Sequence, residues 1–219
     1  PLDAMKMPAE QDSVPTNNYV KAGLGNLKTT YAEGYFANGK DNALQVGGWL
    51  KHFAQNGNYY KQNSAKEEAG VFGKSIGDIN SVSGRITYNY NSNYFYGFDE
   101  FGTGPTVIQA NKQHFSTIGA EGELAKNYQD VENDFTYALK IKGHIFSDAF
   151  QARENNLVLS GFLNQTVKQF YAGLAASLDL STQKDSLFNY NNSLIRLNPY
   201  SKFQGDNYKV DAGINMVDQ

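Results

Sequence analysis

Glycine-rich segments and histidines are the parts of the sequence most able to hold a cofactor or a metal. Gly73-Lys74-Ser75 matches the end of a phosphate-binding loop, but Glu68 stands where that loop needs its first glycine. The three histidines, at positions 52, 114 and 144, are far apart, with no pair or neighbouring carboxylate at metal-ligand spacing. We therefore expect neither a cofactor nor a metal site.

Adjacent acidic residues are the remaining candidates for catalysis. Paired carboxylates at 67–68 and 99–100 could serve acid–base chemistry, although both pairs fall in or near predicted loops. No nucleophile elbow is present, and no spacing unites a serine, a histidine and an aspartate. The chain has no cysteine, which excludes a thiolate nucleophile. We expect this protein not to be an enzyme, and a lipase-like barrel would lack a catalytic set.

The overall composition excludes one class of partner and leaves two classes of fold open. A net charge of -3 without a basic cluster argues against nucleic acid as a partner. No apolar run approaches the ~20 residues of a membrane-spanning helix. The mean hydropathy of -0.55 fits a soluble protein, but it also fits a membrane barrel, in which only alternate residues of each strand meet lipid.

Segment 135–145 shows the clearest alternation of apolar and polar residues. Leu139 and Ile141 fall on one face of an extended chain, while Lys140, Lys142 and His144 fall on the other. A helix would scatter the lysines into the apolar stripe. The segment is therefore predicted to be a strand, at about the length that crosses a bilayer when tilted.

The same alternation, strong or weak, recurs along the chain and predicts about eleven strands. Pro199 weakens one of them, because proline cannot donate to a β-ladder. The predicted strands are 19–26, 29–37, 43–54, 69–76, 82–91, 115–125, 135–145, 157–164, 170–180, 194–203 and 208–216. We expect an all-β antiparallel meander over residues 18–219, preceded by an extended N-terminal segment over residues 1–17.

The predicted connections alternate between short and long. The short ones are 38–42, 77–80, 165–168 and 204–207, and 126–133 is intermediate; the long ones are 55–66, 96–113, 147–155 and 181–192. Short turns on one side and long loops on the other are typical of outer-membrane barrels, with the long loops outside the cell. Aromatic residues also cluster near predicted strand ends, as in 88–98 and 188–190, which favours interfacial girdles.

Several segments resemble a known family. They are NYVKAGLGN (18–26), TYAEGY (30–35), VGGWLKH (46–52), SGRITY (83–88), YFYGF (94–98), FSTIG (115–119) and YKVDAGIN (208–215). Over most of the chain after residue 17, this pattern is similar to that of TonB-dependent-receptor-like β-barrels from Bacteroidota. The resemblance implies an antiparallel transmembrane barrel in the bacterial outer membrane. It would bind or transport a solute, or scaffold an envelope complex, with outer-membrane lipid and other envelope proteins as partners.

The strand count and the C-terminal residues suggest a part of a longer barrel. Bacterial single-chain barrels have an even number of strands, whereas about eleven are predicted. Residues 216–219 lack the terminal aromatic residue with which such barrels usually end. No plug domain or TonB box is identifiable in the sequence. We therefore expect an incomplete barrel.

Charged residues on the polar strand faces are the best candidates for function. They would line a lumen, hold a plug or pair with one another, or else form the solvent face of an ordinary sheet. These candidates are Arg85, Glu121, Glu123, Lys140, Lys142, Asp179, Arg196, Lys209 and Asp211. Tyr59 and Tyr60 lie in an Asn/Gly-rich loop and could stack on a sugar. The alternative to a barrel is a soluble β-sandwich surface module that binds carbohydrate or protein.

Overall fold

The computed structural model describes residues 18–38, 43–58, 61–94, 111–127, 135–205 and 207–219. The predicted N-terminal segment 1–17 and the loop candidates Tyr59 and Tyr60 lie outside the described residues, so those predictions remain untested.

The described chain folds into one antiparallel sheet in which each strand pairs with the next one in sequence. Within the described ranges there is no helix. The strands are β1 (Asn18–Gly25), β2 (Thr29–Ala37), β3 (Leu44–Gln55), β4 (Ser64–Ile76), β5 (Asn80–Tyr94), β6 (Lys112–Lys126), β7 (Phe135–Asp148), β8 (Arg153–Val167), β9 (Phe170–Lys184), β10 (Asn189–Gln204), β11 (Lys209–Gly213) and β12 (Met216–Asp218). The predicted antiparallel meander is confirmed.

The last two strands are one predicted strand with an interruption opposite Pro199. Tyr200 lies opposite Gly213 and Leu197 opposite Met216, so both pieces pair with β10 in the same register. The Ile214 N–H donates to the Pro199 carbonyl at 3.0 Å. Proline has no N–H to complete this pair of hydrogen bonds, and the ladder is interrupted at this point. The predicted count of about eleven strands therefore agrees with the twelve segments observed.

The central strands are longer than predicted, and two predicted long loops are wrong. Strands β5 to β10 have 14 to 16 residues each. Segments 147–155 and 181–192 belong mostly to strands, which leaves only the turns 149–152 and 185–188. The sequence did not reveal these strand ends because most of their residues are polar on both faces, as in 153–155 and 181–184. The β-ladder continues there through backbone hydrogen bonds although the hydrophobic alternation has ended.

The two faces of the sheet differ in polarity. We call one the apolar face; it is defined by Val20, Phe36, Leu50, Val71, Ile86, Ile118, Ile141, Leu159, Leu178 and Ile195, and the opposite face is called the polar face. Apolar-face side chains are widely exposed, with Leu50 at 60% and Leu139 at 56%. Among the described residues no large side chain is fully buried. The sheet is a single layer without a core of its own.

The sheet has two free edges and two distinct ends. In the described part of the chain β1 pairs with β2 alone, and β11 and β12 pair with β10 alone, so the sheet is not closed. The connections after β1, β3, β5, β7 and β9 lie at one end, called the loop end. The connections after β2, β4, β6, β8 and β10 lie at the opposite end, called the turn end.

Candidate functional site

All nine charged residues selected from the sequence lie on the polar face. Arg85, Glu121, Lys142 and Asp179 lie in one row that crosses the five strands from β5 to β9, with Val158 of β8 between Lys142 and Asp179. The adjacent row, two residues nearer the turn end, holds Glu123, Lys140 and Arg196. Lys209 and Asp211 continue the face on β11. The alternation therefore identified which residues share a face, and whether that face lines a lumen remains a prediction.

Ion pairs connect several of these residues. Arg85 Nε lies 3.3 Å from Glu121 Oε1, and Lys140 Nζ lies 3.8 Å from Glu123 Oε2. Each of these side chains is about a third to a half exposed. Pairs this exposed contribute little to stability, so their main effect is on the charge that the face presents.

The remaining charged residues differ in their partners. Lys209 pairs with Asp211 on its own strand at 3.2 Å, and Asp179 accepts a hydrogen bond from Asn156 at 2.8 Å. Lys142 has no ion pair with any described residue. In this row Arg85 and Glu121 therefore neutralise each other, whereas the charge of Lys142 is unpaired among the described residues.

An aromatic cluster that the sequence reasoning missed lies beside this charged row. It consists of Tyr19, Tyr35, Trp49 and Phe72 on β1 to β4. The rings of Tyr19 and Tyr35 stack at 5.9 Å between centroids, and Phe72 lies 6.3 Å from both Tyr35 and Trp49. The register of the four strands brings these residues together, and all four lie on the same face as the charged row.

Two glycines give the rings their positions. A Cβ at Gly70 would overlap the benzo ring of Trp49, and a Cβ at Gly47 would lie 2.6 Å from Phe72 Cζ. Each ring therefore crosses to the neighbouring strand and lies over a glycine there. The glycine pair VGG at 46–48 and the glycine at 70 are the sequence signal that could have located this cluster.

A carboxylate holds the edge strand beside the cluster. Glu33 on β2 is only 9% exposed, and it accepts hydrogen bonds from the hydroxyls of Tyr19 and Tyr31. Lys51 Nζ lies 3.8 Å from the same carboxylate, and Lys21 Nζ lies 4.6 Å from the centre of the Tyr19 ring. These contacts fix β1 and β2 in register through side chains as well as through the backbone ladder.

A cavity of about 460 Å³ joins the aromatic cluster to the charged row. Its volume is within the range of small-molecule sites. The side chains around it are Tyr35, Gln45, Trp49, Phe72, Lys74, Ser83, Arg85, Glu121, Glu123 and Lys140. Four of the nine charged candidates thus meet three aromatic rings around one opening on the polar face.

A second set of aromatic residues lies near the turn end of the polar face. Tyr171 and Tyr200 have ring centroids 5.8 Å apart, and the Tyr200 hydroxyl donates to Asn164. A Cβ at Gly173 would overlap both Tyr200 and Asn164. With Asn164 only 6% exposed, this group packs against itself and leaves no room for a ligand.

The fold gives two histidines carboxylate neighbours that sequence spacing could not reveal. His52 Nδ1 lies 2.6 Å from Glu67 Oε1, and His144 Nε2 lies 3.3 Å from Glu154 Oε1. Both contacts cross from one strand to the next. Nowhere in the described ranges do three or more His, Cys, Asp or Glu residues gather as metal ligands would.

No family model, characterised protein or solved structure is significantly similar to this chain. The resemblance to TonB-dependent-receptor-like barrels therefore remains a prediction. In the part of the chain that the structure describes, no helix has the length and apolar character needed to cross a membrane.

Proposed function

We propose that this chain forms part of the wall of a transmembrane β-barrel in the bacterial outer membrane. Its apolar face would contact lipid, and its polar face would line a lumen that binds or passes a solute. The observation that carries this proposal is the exposed apolar face of a sheet without a core. Ile86 is 55% exposed and Ile141 is 47% exposed, in the middle of the long central strands β5 and β7.

Water is a poor environment for such a surface. An antiparallel sheet in a soluble protein packs its apolar face against a second layer, and contiguous exposed apolar patches rarely exceed a few hundred Å². Here the apolar face extends over every strand from β1 to β10, and the described residues form a single layer. In a membrane, lipid would cover this face, and no second protein layer would be needed.

The dimensions of the apolar region match a bilayer. On β9 the apolar face carries Phe170, Leu174, Leu178 and Leu180. Ten residue steps from first to last span about 33 Å along the strand, or about 25 Å across the membrane at a tilt of about 40°. Beyond Leu180, toward the loop end, the residues of β9 are polar on both faces, as expected where a strand leaves lipid.

The polar face supports solute binding more than a purely scaffolding role. Ion pairs, a free lysine and an aromatic cavity are grouped there, whereas a scaffold for other envelope proteins needs no opening of this kind. Closing a barrel would require further strands at the edges formed by β1 and β11. These strands would come from the same polypeptide or from other copies of it.

Flotation with lipid vesicles tests the proposal. The protein is folded in detergent, mixed with phospholipid vesicles, freed of detergent, washed with urea at a concentration that strips peripheral proteins, and centrifuged through a density gradient. We expect it to float with the vesicles after the wash. A protein that stays in the dense fractions as a monomer in detergent-free buffer would contradict the proposal and favour a soluble sandwich.

A further inference from the structure

We propose that the cavity beside the aromatic cluster is a binding site for a neutral carbohydrate. This inference rests on the proposed function, because it names the class of solute that the polar face would bind. The ring of Trp49 and the ring of Phe72 form its floor, and Gln45, Lys74, Ser83, Arg85 and Glu121 surround it.

The floor of the cavity suits the apolar face of a sugar ring. Trp49 and Phe72 lie over Gly70 and Gly47 of the neighbouring strands, and both remain partly exposed on the side of the cavity. The face of an aromatic ring is electron-rich. The axial C–H bonds of a pyranose are weakly positive, so they stack on such a face without losing any hydrogen bond.

The walls of the cavity supply hydrogen-bonding groups that are still available. The side chains of Gln45, Lys74 and Ser83 have no hydrogen-bond or ion-pair partner among the described residues. Glu121 has one contact with Arg85, which leaves carboxylate lone pairs and guanidinium N–H groups unused. Donors and acceptors beside a floor of aromatic rings match the hydroxyl groups at the edge of a sugar.

The charge of the cavity favours a neutral ligand over an ionic one. Two of its three cations, Arg85 and Lys140, are paired with Glu121 and Glu123. Among the described lining residues, only Lys74 is left to act on a charged ligand: it repels a cation, and it gives an anion a single ion-pair partner. A neutral polyol needs no ion-pair partner and uses the hydrogen-bonding groups instead.

Intrinsic fluorescence provides a direct test, because Trp49 is the one tryptophan of the sequence. The protein in detergent is titrated with maltotriose, cellotriose and mannotriose, and calorimetry is run in parallel. We expect a saturable change in Trp49 emission with at least one trisaccharide. The absence of saturable binding to all three by both methods would overturn the proposal.

Variants locate the site. Phe72→Leu removes a stacking ring, and Gly70→Ala displaces Trp49 without removing any group that would touch the sugar. Each should weaken binding about tenfold or more, the loss expected for a packed aromatic anchor. Gln45→Ala should also weaken binding, and within the described ranges its side chain has no hydrogen bond to lose.

Phe146→Leu is the matched control. Phe146 stacks on Phe115 at 6.0 Å, on the same face but outside the cavity, so its loss should leave the affinity unchanged. Equal weakening by Phe146→Leu, or unchanged binding in Gln45→Ala and Gly70→Ala together, would contradict the assignment. Vesicle flotation of each variant separates the two proposals: a protein that floats but binds no sugar refutes only this site.

Discussion

At the scale of single residues, alternation was sufficient to sort side chains by face but not to assemble a site. Arg85, Glu121 and Lys140 were selected because of their parity, and they share a face as predicted. Trp49 reaches Gly70 only through the register of β3 with β4. The glycines at 47 and 70 mark where the rings lie, but no local pattern encodes the pairing between strands that brings Trp49 over Gly70.

Substitutions at two neighbouring positions of β7 test the assignment of the faces. Leu139→Lys places a cation on the apolar face near its middle, which costs ~2–4 kcal/mol at the bilayer midplane. Lys140→Leu breaks a half-exposed pair with Glu123 and should cost at most about 1 kcal/mol. Urea unfolding in vesicles should therefore show a much larger loss for Leu139→Lys. Equal losses, or a larger loss for Lys140→Leu, would mean that the faces are misassigned.

At the scale of elements, the existence of each strand was predicted better than its length. Hydrophobic alternation ends where β8 and β9 become polar on both faces, near 155–156 and 181–182, but their backbone ladder continues to Arg153 and Lys184. The prediction of long loops failed there because backbone hydrogen bonding leaves no mark on side-chain pattern. Pro199 weakened the prediction of strand 194–203, but β10 is continuous through it, and the interruption lies in the neighbouring strand, between β11 and β12.

The turn between β8 and β9 contains one residue, Lys168, in a strained backbone conformation. Lys168 has φ of 56°, a left-handed conformation that disfavours residues with a Cβ. Lys168→Gly should therefore stabilise the hairpin by up to about 1 kcal/mol. Gln169→Gly is the control; its φ is not in the left-handed region, so it should destabilise the hairpin by about 0.5–1 kcal/mol.

Hydrogen exchange at the ends of β8 and β9 measures both effects. Slower exchange in Lys168→Gly and faster exchange in Gln169→Gly are expected next to the turn. The opposite order would show that Lys168 is held by favourable contacts instead of strained.

At the scale of the whole molecule, the described residues form a one-layer sheet with a polar face, an apolar face and two edges to which no other described strand pairs. Alternation with period two predicts such a sheet directly. It cannot specify what covers the apolar face, because lipid and a second protein layer both select apolar residues. The alternation also cannot specify whether the sheet closes into a barrel, because closure depends on which strands pair with β1 and β11.

The most direct test of the central claim compares Trp49 with its neighbour Leu50 in vesicles of brominated lipid. These two residues lie at the same depth on opposite faces of β3, and Trp49 is the one tryptophan of the sequence. The wild-type protein reports from the polar face, and the double variant Trp49→Phe, Leu50→Trp reports from the apolar face. We expect weak quenching at position 49 and strong quenching at position 50. Equal quenching at both positions, stronger quenching at 49, or no quenching at 50 would contradict a lipid-facing apolar surface.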